Sequence, residues 1–185
     1  MPAEAGAVEI RVADVTDAAA LARLGGLAFR EAWSGYNDPA DMDAYCSEHF
    51  ALERIRRDLT AAGVRYFLAE CNAEAAGYLR MESGPAPAVV VGDRPVEVSR
   101  VYALRHWHGR GVGPALMRSA LAEAGRAGHD VLWLAVWQKA PQALAFYRKW
   151  GFEVVGTASF RLGADVQEDF VMRRRISRGG GHQDG

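Results

Sequence analysis

Apolar and polar positions change period several times along the chain, and each change marks a change of element. Val8 to Val12 alternates apolar with polar, the period of a half-buried strand. From Thr16 to Trp33 the apolar residues recur at helical spacing. Asp38-Pro39 reads as an N-cap followed by the first residue of a helix, with Asp41 in the first turn, where a carboxylate meets the positive end of the dipole. That helix is expected to run towards Phe50, and another to fill Leu52 to Ala62. Tyr66 to Glu70 and Gly77 to Met81 read as paired strands with a turn near Asn72. Gly84-Pro85-Ala86-Pro87 and Gly92-Asp93 are loop signals. Val96 to Leu104 is expected as a strand and Gly111 to Arg126 as a helix ended by Gly128. Val131 to Val136 is apolar enough for a strand covered on both faces. Pro141 to Trp150 reads as a short helix stopped at Gly151, and Phe152 to Leu162 and Glu168 to Met172 as closing strands. This order describes one mixed α/β layer structure.

Composition narrows the function classes. The 185 residues fit one domain, taken as 1–176, followed by a Gly-rich, polar tail, 177–185, expected to be disordered; His182 reads as part of that tail. With 22 basic and 23 acidic residues the formal charge is −1, which gives no reason to expect nucleic acid or an anionic membrane as partner. No apolar run approaches the roughly 20 residues of a membrane span. Met1 to Gly6 lacks the basic and apolar regions of a signal peptide, so a cytoplasmic location is expected. Cys46 and Cys71 have no metal-ligand spacing and read as free thiols; no metal is expected.

The strongest chemical signal is a strand, Glu97 to Leu104, followed by His108-Gly109-Arg110-Gly111-Val112-Gly113 and an amphipathic helix. Glycines there let backbone approach a ligand closely, and the helix opens with free amides that favour an anion such as a diphosphate. Pro114 suits the first helical turn, and Arg110 offers a cation beside a phosphate. A Walker loop needs Gly-Lys-Ser/Thr where this chain has Gly113-Pro114-Ala115, and a dinucleotide fingerprint needs glycine where Pro114 stands. Coenzyme A remains, beside the plain alternative of a tight turn without a ligand.

These residues resemble the Gcn5-related N-acetyltransferase (GNAT) superfamily. The family loop Gln/Arg-x-x-Gly-x-Gly/Ala corresponds to His108 to Gly113, and the later Ala-x-x-Phe-Tyr-x-x-x-Gly-Phe to Ala143 to Phe152. Phe29 to Trp33, Asn37 to Met42, Ser99 to Leu104, Trp133 to Lys139 and Leu162 to Asp169 are similar to PaiA-type bacterial polyamine acetyltransferases. Two positions depart from the family: His108 replaces Gln or Arg, and Ala140 replaces an Asn that contacts the cofactor.

The resemblance implies the GNAT fold: a single domain with a mixed, mostly antiparallel sheet flanked by helices. It implies acetyl-coenzyme A as co-substrate, held in a V-shaped gap between the strand ending at Leu104 and the strand Val131 to Val136. It implies cofactor contacts from backbone at Val101, Tyr102 and Ala103, from the turn His108 to Pro114, and from Lys139 and Ala140. Tyr147 is the implied acid beside the sulfur, against the plainer reading of a core aromatic next to Phe146. For a base, Glu97 acting through water and Glu31 facing the acceptor are both candidates, and a solvated carboxylate is the plainer reading of each.

The acceptor is expected to be a small-molecule amine, a polyamine first. Glu31, Trp33, Tyr36 and Tyr45 would line its site, since cations favour carboxylates and aromatic faces; Asp38 reads better as a cap. The amine is expected to attack directly, because neither cysteine falls in a cofactor motif. A protein N-terminus, an amino acid or an antibiotic amine is an alternative acceptor, and a non-catalytic coenzyme A sensor an alternative function. His49 and His129 read as structural, and Arg173-Arg174-Arg175 as a solvated sheet edge that discourages pairing. A homodimer stays open.

Overall fold

The computed structural model describes residues 7–177; the tail beyond, with His182, lies outside the described residues. Seven strands form one sheet in the order β1-β2-β3-β4-β5-β7-β6: β1 Val8–Val12, β2 Val64–Cys71, β3 Glu74–Glu82, β4 Pro95–Ala103, β5 Val131–Trp137, β6 Glu153–Leu162 and β7 Asp165–Arg175. Five helices accompany them: α1 Ala18–Trp33, α2 Pro39–His49, α3 Leu52–Thr60, α4 Val112–Arg126 and α5 Pro141–Lys149. All strand pairs are antiparallel except β4–β5, which is parallel.

Local chemistry accounts for most boundaries. Asp38 caps α2, its Oδ1 accepting from the amide of Ala40 at 2.8 Å, and Pro39 occupies the first turn. The β2–β3 hairpin turns through Asn72 and Ala73, both left-handed, which suits the twist of a two-residue hairpin loop. Alternation then sorts side chains between two helical layers. Tyr66, Tyr78, Arg80 and Tyr102 face α1 and α3: the Tyr66 hydroxyl donates to Asp58 at 3.0 Å, Arg80 Nε to Asp58 at 3.1 Å, and Trp33 Nε1 to the Tyr102 oxygen at 3.4 Å. Gly77 and Leu79 face the opposite side, where a Cβ at Gly77 would meet Val112 of α4 at 2.8 Å. Leu79, Leu116, Met117, Leu132, Leu134 and Met172 form the fully buried heart of that layer.

Three expectations are corrected. The final strand begins at Asp165, because the hairpin turn falls at Gly163-Ala164 and Leu162 pairs directly with Asp165. Arg173 to Arg175 is not at an edge: β7 lies between β5 and β6, Arg173 pairs with both Trp133 and Glu153, and its Nε meets Glu153 at 3.2 Å. Finally, β5 is not covered throughout. Residues 131–134 are buried, but Ala135 is exposed in the middle of the sheet.

Candidate active site

The exposure of Ala135 follows from a break in the sheet. The parallel pairing of β4 with β5 covers only Pro95–Glu97 against Val131–Trp133, and the two strands diverge beyond it. Leu104 donates to Ala76 of β3 at 3.0 Å. By alternation the backbone of Tyr102 also turns towards β3, while that of Val101 and Ala103 turns towards the gap. Of the three backbone contacts expected there, Tyr102 is therefore the one the strand register points away.

At the outer end of β4 the chain makes a 3-10 turn, Arg105–Trp107, and reaches the head of α4. Gly109 and Gly111 both adopt left-handed conformations, with φ of 74° and 88°, and a Cβ at either would meet no atom within 4 Å. Gly111 is the N-cap and provides no side-chain cap; the first amide to bond back is that of Ala115, to the Gly111 oxygen at 3.0 Å. The amides of Gly111, Val112 and Gly113 are thus left without a hydrogen-bond partner among the described residues, at the positive end of a fifteen-residue helix. Such a cradle suits an anion with several oxygens. Arg110 lies beside it with its guanidinium over the Trp107 ring, 5.2 Å from the centroid. His108 is engaged differently from expectation: its Nε2 lies 2.9 Å from the Ala103 oxygen. With Nε2 donating there, a neutral imidazole presents only a lone pair on Nδ1, so it offers a proton to an anion only when protonated.

Beyond β5, Lys139 is exposed and Ala140 forms the N-cap of α5 without any side-chain bond. Helix α5 carries Tyr147, packed edge-on to Phe152 at 5.8 Å and Phe146 at 5.3 Å. Its hydroxyl has no hydrogen-bond partner among the described residues. Burial pushes the phenol up to about 12, so it stays a proton donor throughout the physiological range. Burial also raises the Tyr102 phenol, and Tyr147 lies close enough to add to that rise.

The opposite face of the sheet collects the aromatics. Trp137 carries Trp33 at 5.6 Å and Tyr36 at 5.1 Å, both edge-on. Tyr45 sits deeper, stacked on Phe29 at 4.5 Å and against Phe160 at 5.9 Å. Tyr36 is exposed, whereas Trp33 and Tyr45 are both half-buried and both pack against the buried cluster of Phe29, Met42, Cys46, Phe50 and Leu162. Glu31 faces neither group. Its carboxylate accepts from the Arg105 amide at 2.8 Å, and Arg105 returns a bond to the Glu31 carbonyl at 2.7 Å. That carboxylate is committed to holding the turn below the cradle.

Glu97 stands at the foot of the splay, beside Trp133 of β5 and Glu82 of β3. It helps line a cavity of about 280 Å³ with Glu82, Ser83, Gly84, Pro85 and Trp133. Burial raises its carboxyl above the usual range and the neighbouring Glu82 adds to the rise, against the pull of Arg80 and Arg100.

Two charged residues on this face were not singled out from the sequence. Arg100 lies over the Phe50 ring at 5.0 Å, with Nη1 sealed from solvent and unpartnered. Asp169, opposite Trp137, is pushed up to about 6 by burial.

The sheet is thus an α/β layer that splays beside the uncapped head of the helix after β4. The acetyltransferase (GNAT) family model matches residues 27–152, and the chain belongs to that family. An uncharacterized N-acetyltransferase of Mycobacterium tuberculosis is 33% identical over 162 residues, covering 88% of this chain and 99% of that one. Among solved structures, the PaiA N-acetyltransferase of Thermoplasma acidophilum in complex with coenzyme A superposes with a TM-score of 0.74 at 19% identity, covering 91% of this chain and 99% of its own. YncA of Salmonella typhimurium, a putative acetyltransferase with its cofactor acetyl-CoA, gives 0.67 at 20% identity, covering 97% and 100%. The protein is an acyltransferase of the GNAT type.

Proposed function

We propose that this chain transfers acetyl from acetyl-coenzyme A to a primary amine by direct attack, with polyamines the best-matched acceptors. The observation that carries the reading is the open, amide-lined cradle at Gly109 to Gly113 beside the gap between β4 and β5. Those amides and Arg110 would hold the diphosphate, with Pro114, Lys139 and Ala140 flanking it; backbone of Val101 and Ala103 would hold the pantetheine arm. The co-substrate supplies an activated acetyl thioester.

The residues of the chain divide the remaining work. An alkylammonium with a pKa of about 10.4 must lose its proton before attack. Glu97, at the foot of the splay, would take that proton through water. A gap-facing amide of β4 donates to the oxygen on which charge develops. Tyr147 donates a hydrogen bond to the departing sulfur. Its phenol, pushed up to about 12 by burial, holds its proton more tightly than an ordinary thiol near 8.5. Tyr147 therefore stabilises the thiolate without surrendering its proton.

Trp33, Tyr36 and Trp137 provide aromatic faces for a cationic acceptor. A panel of amines with acetyl-coenzyme A, read by free thiol release, tests the reading. A response selective for spermidine or spermine supports it. A second reading, a coenzyme A-binding sensor, is favoured by the occupied ring of His108 and the side chain missing at Ala140. Silence across the panel, with coenzyme A still bound, would establish that reading instead.

A further inference from the structure

Asp169 is a carboxylate without a purpose inside the fold. It makes no hydrogen bond or ion pair through its side chain among the described residues. In the register it lies directly opposite Trp137 of β5 and Ala158 of β6, so the three side chains share a face at a spacing of about 5 Å. Trp137 places that face beside Trp33 and Tyr36 at the end of α1.

The neighbours along β7 define the surroundings. Gln167, two residues earlier, donates to Asn37 at 2.9 Å, and Val171, two residues later, is fully buried with Val90 and Trp133. Asp169 therefore occupies the seam between the aromatics Trp33, Tyr36 and Trp137 and the buried cluster of Val90, Val131, Trp133 and Val171. Ala135, opposite Val171, is exposed and marks where solvent reaches that seam. A half-buried charge that pairs with nothing weakens the fold, and burial has already raised its carboxyl. Such groups concentrate where a ligand completes them.

We propose that Asp169 receives a second, non-reacting ammonium of the acceptor, so that this enzyme prefers amines carrying two cationic nitrogens. The proposal rests on the amine acetyltransfer put forward above. The contact belongs to a second nitrogen because a carboxylate beside the reacting one would hold its proton in place, and attack needs the neutral amine. Trp137, Trp33 and Tyr36 offer the methylene chain an apolar wall and the cation an aromatic face.

The test compares 1,4-diaminobutane with n-butylamine, which differ by the distal nitrogen, by kcat/KM at saturating acetyl-coenzyme A and pH 8. Wild-type protein should favour the diamine, and Asp169→Asn should lower that preference roughly 10- to 100-fold, the worth of a charge-assisted contact. Affinity for acetyl-coenzyme A should stay within about twofold. Asp169→Glu, which keeps the charge, should recover part of the preference, and Asp169→Ser should lose it as Asn does. A diamine preference that survives in both neutral variants would overturn the role of Asp169 and leave amine acetylation standing. Wild-type protein that binds acetyl-coenzyme A but acetylates neither amine would overturn the proposed function and this inference together.

Discussion

Replacing Asp169 by Asn should make the protein more stable at neutral pH. Burial moves the Asp169 carboxyl from its ordinary 3.8 to about 6, so the folded chain binds this proton more tightly than the unfolded chain between those values. Stability from this group is therefore greatest below about pH 4, declines as pH rises through the window, and levels off above about 6. At 1.36 kcal/mol per unit, a rise of about 2 units sets an upper bound of about 3 kcal/mol on the penalty at pH 7. Residual solvent contact reduces it, and a gain of about 1–2 kcal/mol is expected from the neutral, nearly isosteric Asn. Asp14, Asp17 and Glu123 are shifted the other way by their hydrogen bonds, to Thr16, Arg11 and Arg126 respectively. Their contribution falls with acid in both proteins and cancels in the difference. Urea unfolding at pH 5, 6, 7 and 8 measures that difference, with equal m-values as the check on two-state comparison. The gap should widen from pH 5 to 7 and then stay constant. A variant less stable than wild type at pH 7.5, or a gap that ignores pH, would refute the reasoning.

Three further outcomes are expected. Tyr147→Phe removes the donor but keeps the packing on Phe152; kcat should fall about 100-fold while calorimetry finds the affinity for acetyl-coenzyme A within about twofold. Gly111→Asp forces a side chain onto a left-handed residue and sets a negative charge among the amides, so affinity for coenzyme A should drop at least about tenfold, and an unchanged affinity would remove the cradle from the account. Asp58→Ala leaves Arg80 and the Tyr66 hydroxyl without their shared acceptor and should lower unfolding free energy by about 3 kcal/mol in urea melts.

The cradle was legible because everything that makes it is local. Three glycines and the start of a helix lie within a few residues, and the conformations of Gly109 and Gly111 follow from the absence of a Cβ. The cap at Asp38 and the turn at Asn72 were readable for the same reason. The aromatic face proposed for the acceptor was not. Asp169 meets Trp137 only through the β5–β7 register, and Trp33 reaches the same point from the far end of the chain. Nothing in the run Gln167-Glu168-Asp169 distinguishes its second acid from a solvated one. Glu31 misled for the converse reason: its distance from Arg105 in sequence hid a contact of 2.8 Å. A better signal existed for the strand order. Phe170-Val171-Met172 is an apolar run without alternation, as an internal strand shows, and it carries the two buried positions of β7.

A net charge of −1 conceals a division of labour across the sheet. On the α4 side, free amides and Arg110 gather positive potential at the mouth of the gap. On the aromatic side, Glu97 and Asp169 hold two partly buried carboxyls, each raised because no cation fully compensates it. The sheet would normally insulate two such regions. Here β4 and β5 part company after Glu97 and Trp133, and the opening joins them. On the proposed function, an anionic donor and a cationic acceptor would approach from opposite faces without either crossing a field of its own sign. Tyr147, close enough to Tyr102 of β4 to influence it, stays a protonated phenol and adds a hydrogen-bond donor but no charge. If the proposed diamine site is right, Asp169 is left uncompensated in the free protein because its partner arrives with the substrate, and the fold gives up stability there to keep that place open.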